Sequence, residues 1–251
     1  MKRTIAMLLV LVLAIGLLGC GKEDKDISGK VTPVTEAATV PAGTVEAIPE
    51  TTEAVIETTG AADEEKAVTL GRMEGGTYTN EYLGIGCMLD TSWTFRGAEE
   101  LQELPGQVNE LLQDTEYSDA TLRQITDMMA ENVNDMSNMN IQYTKLNMQE
   151  RLVYATMDYE AFADMILGES ASMAEAYAQA GIENAVLEKV TVNYLGEERV
   201  AIRTSATIQG YPYYLLQVFE HDIGQYYVTI TFSSLFEDTT QSMLDLFYKL
   251  N

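Results

Sequence analysis

The chain holds one histidine, His221, and two cysteines, Cys20 and Cys87. Cysteine catalysis needs a base within hydrogen-bond reach of the thiol. Cys87 with His221 is the one internal pairing on offer, and nothing in the spacing brings them together. Ile85, Cys87 and Leu89 alternate onto one strand face, which makes Cys87 a buried thiol, while His221 falls in a hairpin turn. Gly168-Glu169-Ser170-Ala171-Ser172 lacks the last glycine of a Gly-x-Ser-x-Gly elbow and lies between helices. Gly84-Ile85-Gly86 opens a dinucleotide pattern, but Leu89 occupies its third glycine. One histidine and one unpaired cysteine do not complete a usual zinc site. Asn132-Val133-Asn134-Asp135 lacks the glycine of a calcium loop. The reading therefore includes no cofactor and no metal.

Carboxylates are plentiful, 39 in all, so pairs such as Asp158 and Glu160 arise by chance, although two carboxyls can in principle serve a glycosidase. Met128, Met129, Met136, Met139 and Met148 could be arranged as soft copper ligands, but their spacing with Leu122 and Ile125 reads as helix core. The best candidate ligand surface is aromatic. Tyr211, Tyr213, Tyr214, Tyr226 and Tyr227 gather on neighbouring strands, and tyrosine suits ligand or protein recognition. Ordinary cross-strand packing at the sheet ends accounts for the same residues.

The elements that must position these residues are clearest in the C-terminal half. Val190, Val192 and Tyr194 alternate with polar partners, and Gly196-Glu197-Glu198 turns the chain. Val200, Ile202, Thr204, Ala206 and Ile208 alternate next and end at Gln209-Gly210. Tyr211 to Phe219 is apolar on both faces, as in a central strand covered on each side. His221-Asp222-Ile223-Gly224 turns into Tyr226, Val228, Ile230 and Phe232, completing an antiparallel meander. A closing helix starts near Asp238 and buries Met243, Leu244, Phe247 and Leu250. Upstream, Tyr78–Tyr82 and Ile85–Leu89 read as a strand pair near Gly84. Leu101, Leu104, Val108, Leu111 and Leu112 suggest short helices divided at Pro105. Leu122, Ile125, Met128, Met129, Val133 and Met136 form a long helical stripe after a Ser118-Asp119 cap. Ile141–Leu146 and Leu152–Met157 look like strands. Phe162, Met165 and Ile166, then Met173, Ala176, Tyr177 and Ala180, mark helices interrupted near Gly168 and closed by Gly181.

The chain opens with Met1-Lys2-Arg3 and continues with an apolar run from Ile5 to Leu18. That run is too short for a membrane span of about 20 residues but suits a signal-peptide core. It ends in Leu17-Leu18-Gly19-Cys20, which resembles the lipobox of bacterial prolipoproteins. The resemblance implies a signal peptide over residues 1–19, a diacylglycerol on the Cys20 thiol and an extracytoplasmic protein anchored to the cell membrane. Two acyl chains hold a protein where one gives marginal binding. Between Cys20 and residue 75 there is no aromatic residue, and prolines recur at Pro33, Pro41 and Pro49. Such a Thr-, Glu- and Ala-rich segment cannot bury enough surface to offset its chain entropy. It reads as a disordered stalk spanning on the order of 40 Å as a coil.

Loss of Lys2 and Arg3 with the signal takes the formal charge from −24 to −26, and residues 76–251 hold 27 acidic against 8 basic residues. That balance argues against nucleic acid, which needs basic surface to replace phosphate counterions. It argues equally against adhesion to anionic lipid. A cationic ligand or partner is permitted, as is simple solubility.

Within residues 76–251, Tyr78-Thr79-Asn80-Glu81-Tyr82-Leu83-Gly84-Ile85 followed by Leu89-Asp90-Thr91-Ser92-Trp93 resembles the opening of PsbP/DcrB-like domains. The later order of helix, meander and closing helix is similar to that fold as well. The resemblance implies an α+β class, an antiparallel meander flanked by helices in a PsbP-like sandwich. Members of that fold serve as assembly factors, adaptors and lipoproteins, and no catalytic residue transfers from them. The expectation is a lipid-anchored, non-catalytic binding or envelope-assembly module that meets the membrane through Cys20 and an envelope protein or cationic ligand through its domain. The alternatives are a carboxylate-dependent envelope hydrolase and a passive surface spacer.

Overall fold

The computed structural model describes residues 69–102, 124–223 and 225–250. The signal segment, Cys20 and the stalk expectation up to residue 68 lie outside these residues. So do the Ser118-Asp119 cap, Leu122 and the helical positions from Leu104 to Leu112. The last stretch of the expected stalk, 69–75, is described, and there Arg72–Glu74 pairs as a strand with residues 77–79 instead of continuing the stalk.

The architecture is α+β, with antiparallel sheets flanked by a few helices. A small sheet has the order β1 (Arg72–Glu74), β2 (Thr77–Asn80), β3 (Ile85–Met88) and β11 (Phe247–Lys249). A large sheet has the order β4 (Trp93–Phe95), β5 (Gln124–Asn132), β6 (Asn138–Lys145), β10 (Tyr226–Leu235), β9 (Tyr211–Ile223), β8 (Glu197–Ile208) and β7 (Ile182–Tyr194). The meander of β7 to β10 is present as expected. Its first two turns are the pairs Leu195-Gly196 and Gln209-Gly210, with φ of 55° and 85° and of 51° and 83°. Two successive left-handed residues match the twist of a tight hairpin, and glycine takes the second position without a Cβ penalty.

The helices are α1 (Ala98–Gln102), α2 (Met148–Tyr154), α3 (Tyr159–Leu167), α4 (Ser170–Gln179) and α5 (Thr240–Leu244). Phe162, Ile166, Met173 and Tyr177 from α3 and α4 bury against Ile202, Leu215 and Phe219 on one face of the large sheet. The opposite face, with Met128, Ile141, Val218, Ile230 and Phe232, packs on Ile85, Cys87 and Phe247 of the small sheet. Strand β9 therefore has apolar residues on both sides, as its sequence requires.

Four local readings change. Residues 124–132 are a strand, not a helical stripe, and the reason is a β-bulge between Thr126 and Met128. The extra residue shifts the alternation, so Ile125 and Met128 share one face at a spacing that mimics a helix. The Leu152–Met157 strand is absent: Leu152 lies in α2, which the capping box of Asn147 and Glu150 nucleates. Asn147 Oδ1 accepts from Glu150 N–H at 2.9 Å, and Glu150 Oε2 accepts from Asn147 N–H at 2.8 Å. The closing helix ends at Leu244, and Phe247–Lys249 becomes a strand paired with β3. Phe247 is still buried, its ring edge-on to Phe232 at 5.6 Å, whereas Leu250 is half-buried. Finally, the backbone of His221, Asp222 and Ile223 continues strand β9 instead of turning.

Candidate functional site

The bulge that disguises β5 also turns Asp127 into the protein. Its carboxylate is 3% exposed and accepts three hydrogen bonds. Gly71 N–H donates to Oδ1 at 2.7 Å, and the Tyr78 hydroxyl and Asn80 Nδ2 donate to Oδ2 at 2.5 and 2.7 Å. Asn80 Nδ2 also donates to the Tyr143 hydroxyl at 2.9 Å, while Asn80 Oδ1 accepts from Leu83 N–H at 2.8 Å. Burial pushes the Asp127 carboxyl above its ordinary range, against the Tyr78, Gly71 and Asn80 donors, which hold it down. Burial and the neighbouring Asp127 carboxylate likewise keep the Tyr78 and Tyr143 hydroxyls protonated. The network ties the N-terminal strands to the large sheet. A Cβ on Gly71 would stand 2.3 Å from the Tyr78 ring, so only glycine permits this approach. The segment around Tyr78 and Asn80 thus contains two donors to a carboxylate 49 and 47 residues away.

A second interior polar system lies on the helix-facing side of the large sheet. Asn138, Asn140, Gln142 and Thr144 alternate along β6, each at most 8% exposed. Register carries the pattern to β10, where Thr229, Thr231 and Ser233 stand opposite Gln142, Asn140 and Asn138. It continues to Gln217 on β9, opposite Thr231, and to Gln124 on β5, opposite Thr144. Two long contacts join members of the layer: Gln142 Nε2 to Gln124 Oε1 and Gln217 Nε2 to Thr231 Oγ1, both at 3.4 Å. Asn140 Oδ1 and Gln217 Oε1 have no hydrogen-bond partner among the described residues. No sequence motif announced this layer, but the alternation of amides and hydroxyls along β6 is readable once that segment is known to be a strand.

The five tyrosines do not converge. Tyr211, Tyr213 and Tyr214 stand at the end of β9 that pairs with Ile208 and Leu235, and Tyr226 and Tyr227 open β10 near Ile223. The two groups are about 30 Å apart along the strands. Tyr213 and Tyr227 fill the core beneath the helices, Tyr226 fills the core between the sheets, and Tyr211 is exposed against Phe236 at 5.2 Å. Cross-strand and edge-to-face packing, as in Tyr227 on Tyr154 at 6.0 Å, occupies them. Met128 and Met139 are buried in the core between the sheets, while Met136 and Met148 are exposed, so the methionines form no common site. Cys87 is fully buried on β3, and burial pushes its thiol up to about 12. Asp158 caps α3 by accepting from Ala161 N–H at 2.8 Å, and Glu160 pairs with Lys189 at 2.6 Å. A groove of about 370 Å³ runs between the β7–β8 turn and the C-terminal strand, lined in part by Asn193, Leu195, Asp245 and Tyr248.

No family model matches the sequence, and no curated protein matches it. The structure is similar to the solution structure of cyanobacterial PsbP (CyanoP) from Synechocystis sp. PCC 6803. The similarity comes at 10% sequence identity and a TM-score of 0.40, spanning 76% of this chain and 98% of that one.

Proposed function

We propose that the chain is an extracytoplasmic lipoprotein, anchored through Cys20, whose folded domain is a non-catalytic binding or assembly module. The order of Lys2-Arg3, an apolar run and Leu17-Leu18-Gly19-Cys20 supports the anchor. The observation that carries the binding role is how the reactive groups are used. Asp127 is committed to three donors that join two sheets, and Cys87 is sealed in a strand with its thiol protonated. Arg199 is stacked on Tyr159 at 4.0 Å and paired with Glu220 at 3.0 Å. The buried layer on the large sheet is built of uncharged amides and hydroxyls, which offer no general acid or base. A hydrolase would need two carboxyls across a cleft, and Asp158 and Glu160 are engaged in a cap and an ion pair instead.

The test is metabolic labelling with an alkyne fatty acid, followed by detergent phase separation. The wild-type chain should carry label and enter the detergent phase. Cys20→Ala should carry none and enter the aqueous phase as an intact folded domain. A Cys20→Ala chain that still partitions with membranes after signal cleavage would overturn the anchor.

A further inference from the structure

Strand β11 ends the small sheet, and among the described residues only β3 pairs with it. Leu250 N–H donates to Gly84 O at 2.9 Å, in the same register that sets Tyr248 opposite Gly86. Backbone direction alternates residue by residue along an antiparallel strand. Leu250 and Tyr248 therefore point their N–H and C=O groups at β3, while Phe247 and Lys249 point theirs away from the sheet. Those outward groups recur at about 6.8 Å, two residues of strand rise. The groove of about 370 Å³ lies along this edge, since Phe247, Tyr248 and Lys249 all line it. Successive side chains of a strand point to opposite faces, so three in a row share one groove only where the strand lies edge-on to it. Asn193 and Leu195, at the β7–β8 turn, form its other side. Tyr248 is 37% exposed, and Lys249 and Glu197 are exposed as well, so the groove is reached from solvent.

We propose that a short extended peptide with a basic side chain docks in this groove as a fifth strand of the small sheet. The inference rests on the reading of the domain as a binding module and names the chemistry of its partner. The main chain supplies the affinity: the N–H and C=O of Phe247 and of Lys249 match those of a second strand, which repeat at the same spacing. A sheet edge offers this pairing to any extended backbone, so selectivity comes from the side chains around it. Lys249 is already neutralised by Glu197 at 2.6 Å. Asp245 accepts from Gln241 Nε2 at 2.9 Å and has no Lys or Arg partner among the described residues. The groove thus keeps one unbalanced carboxylate. The excess of acidic over basic residues across 76–251 adds a field of the same sign. A lysine or arginine beside Asp245 is favoured, and an acidic peptide is repelled.

The experiment is fluorescence anisotropy of labelled peptides titrated with the detergent-solubilised mature chain. The probes are Val-Lys-Val-Lys-Val and Val-Glu-Val-Glu-Val, each with fluorescein at the N-terminus and an amide at the C-terminus. The lysine peptide should bind saturably, and at least tenfold more tightly than the glutamate peptide. Lys249→Pro deletes one outward N–H and leaves the β3-facing bonds of Tyr248 and Leu250 in place, so it should fold and lose binding tenfold or more. Electrostatic attraction alone gives the reverse, because loss of the Lys249 charge makes the site more acidic. Lys249→Ala removes that charge but keeps the N–H, and should bind the lysine peptide more tightly than wild type. Asp245→Asn should narrow the preference for lysine over glutamate by about threefold, the scale of a solvent-exposed charge pair. On the wild-type chain, a lysine peptide N-methylated at every residue keeps its charge and should lose binding tenfold or more. The proposal falls if neither peptide binds at millimolar concentration, or if the glutamate peptide binds as well as the lysine peptide. It falls if Lys249→Pro binds no more weakly than Lys249→Ala, or if the N-methylated peptide binds as its parent does. It falls equally if sedimentation finds the mature chain dimeric and Lys249→Pro disperses the dimer, since the edge is then occupied by a second copy. Failure of peptide binding leaves the Cys20 labelling result standing, so the anchored-module reading and the peptide proposal are judged separately.

Discussion

Replacing Tyr78 by Phe removes one hydroxyl from the centre of the protein and nothing else. That hydroxyl donates to Asp127 Oδ2 at 2.5 Å, and afterwards Oδ2 keeps only the Asn80 Nδ2 contact at 2.7 Å. A hydrogen bond to a charged acceptor contributes about 1.5–3 kcal/mol, so the variant should lose about 2 kcal/mol. For a domain of this size that corresponds to a fall of about 4–8 °C in Tm. The loss should depend on pH in a definite direction. Asp127 is raised above its ordinary value, so the folded state holds its proton more tightly than the unfolded state. Its contribution is fully present below an unfolded value of about 4 and is lost as pH rises through the folded value. Tyr78 is one of the donors holding that value down. Its removal raises the folded value further and extends the decline to higher pH. Urea unfolding of wild type and variant, side by side, should therefore give a larger difference at pH 7 than at pH 4, by about 1 kcal/mol, within the range of a charged against a neutral acceptor. Titrations common to both chains cancel in that comparison. A loss under about 0.5 kcal/mol at both pH values, well below what such a bond contributes, would refute the reasoning. A loss larger at pH 4 would do the same.

Two further outcomes follow from the same geometry. Gly71→Ala should destabilise by about 1–3 kcal/mol, because its Cβ meets a Tyr78 ring held in place from its far end; an unchanged urea midpoint would show that the ring moves freely. Cys87, with its thiol pushed up to about 12 and no exposed surface, should react with a disulfide reagent at pH 8 only as fast as the domain unfolds. Immediate reaction without denaturant would contradict its burial.

The elements legible in the sequence are those whose pattern and partners are local. The meander of β7 to β10 follows from alternation and tight turns, so adjacent segments pair through short connections. Helices α3 and α4 follow from their apolar spacing and the glycine at position 168. The lipobox resemblance, equally local, needs no fold at all.

The features that tertiary structure decided depend on strand pairing and register. Strand β5 looked helical because one bulged residue broke its two-residue period, and only pairing with β6 reveals where that residue sits. The same bulge aims Asp127 at donors 47 to 56 positions earlier in the chain. The segment at Phe247 can continue a helix or pair as a strand, and the free edge of β3 settles the choice in favour of pairing. The tyrosines that are neighbours by strand count are separated because antiparallel register sends Tyr213 and Tyr226 to opposite ends of the sheet. The same register assembles Asn140, Thr231 and Gln217 into one row. Residue types set what each side chain can do, but hydrogen-bonded register sets which of them meet. Where the paired strands lie far apart in the chain, as β6 and β10 or β3 and β11 do, no local pattern shows the pairing.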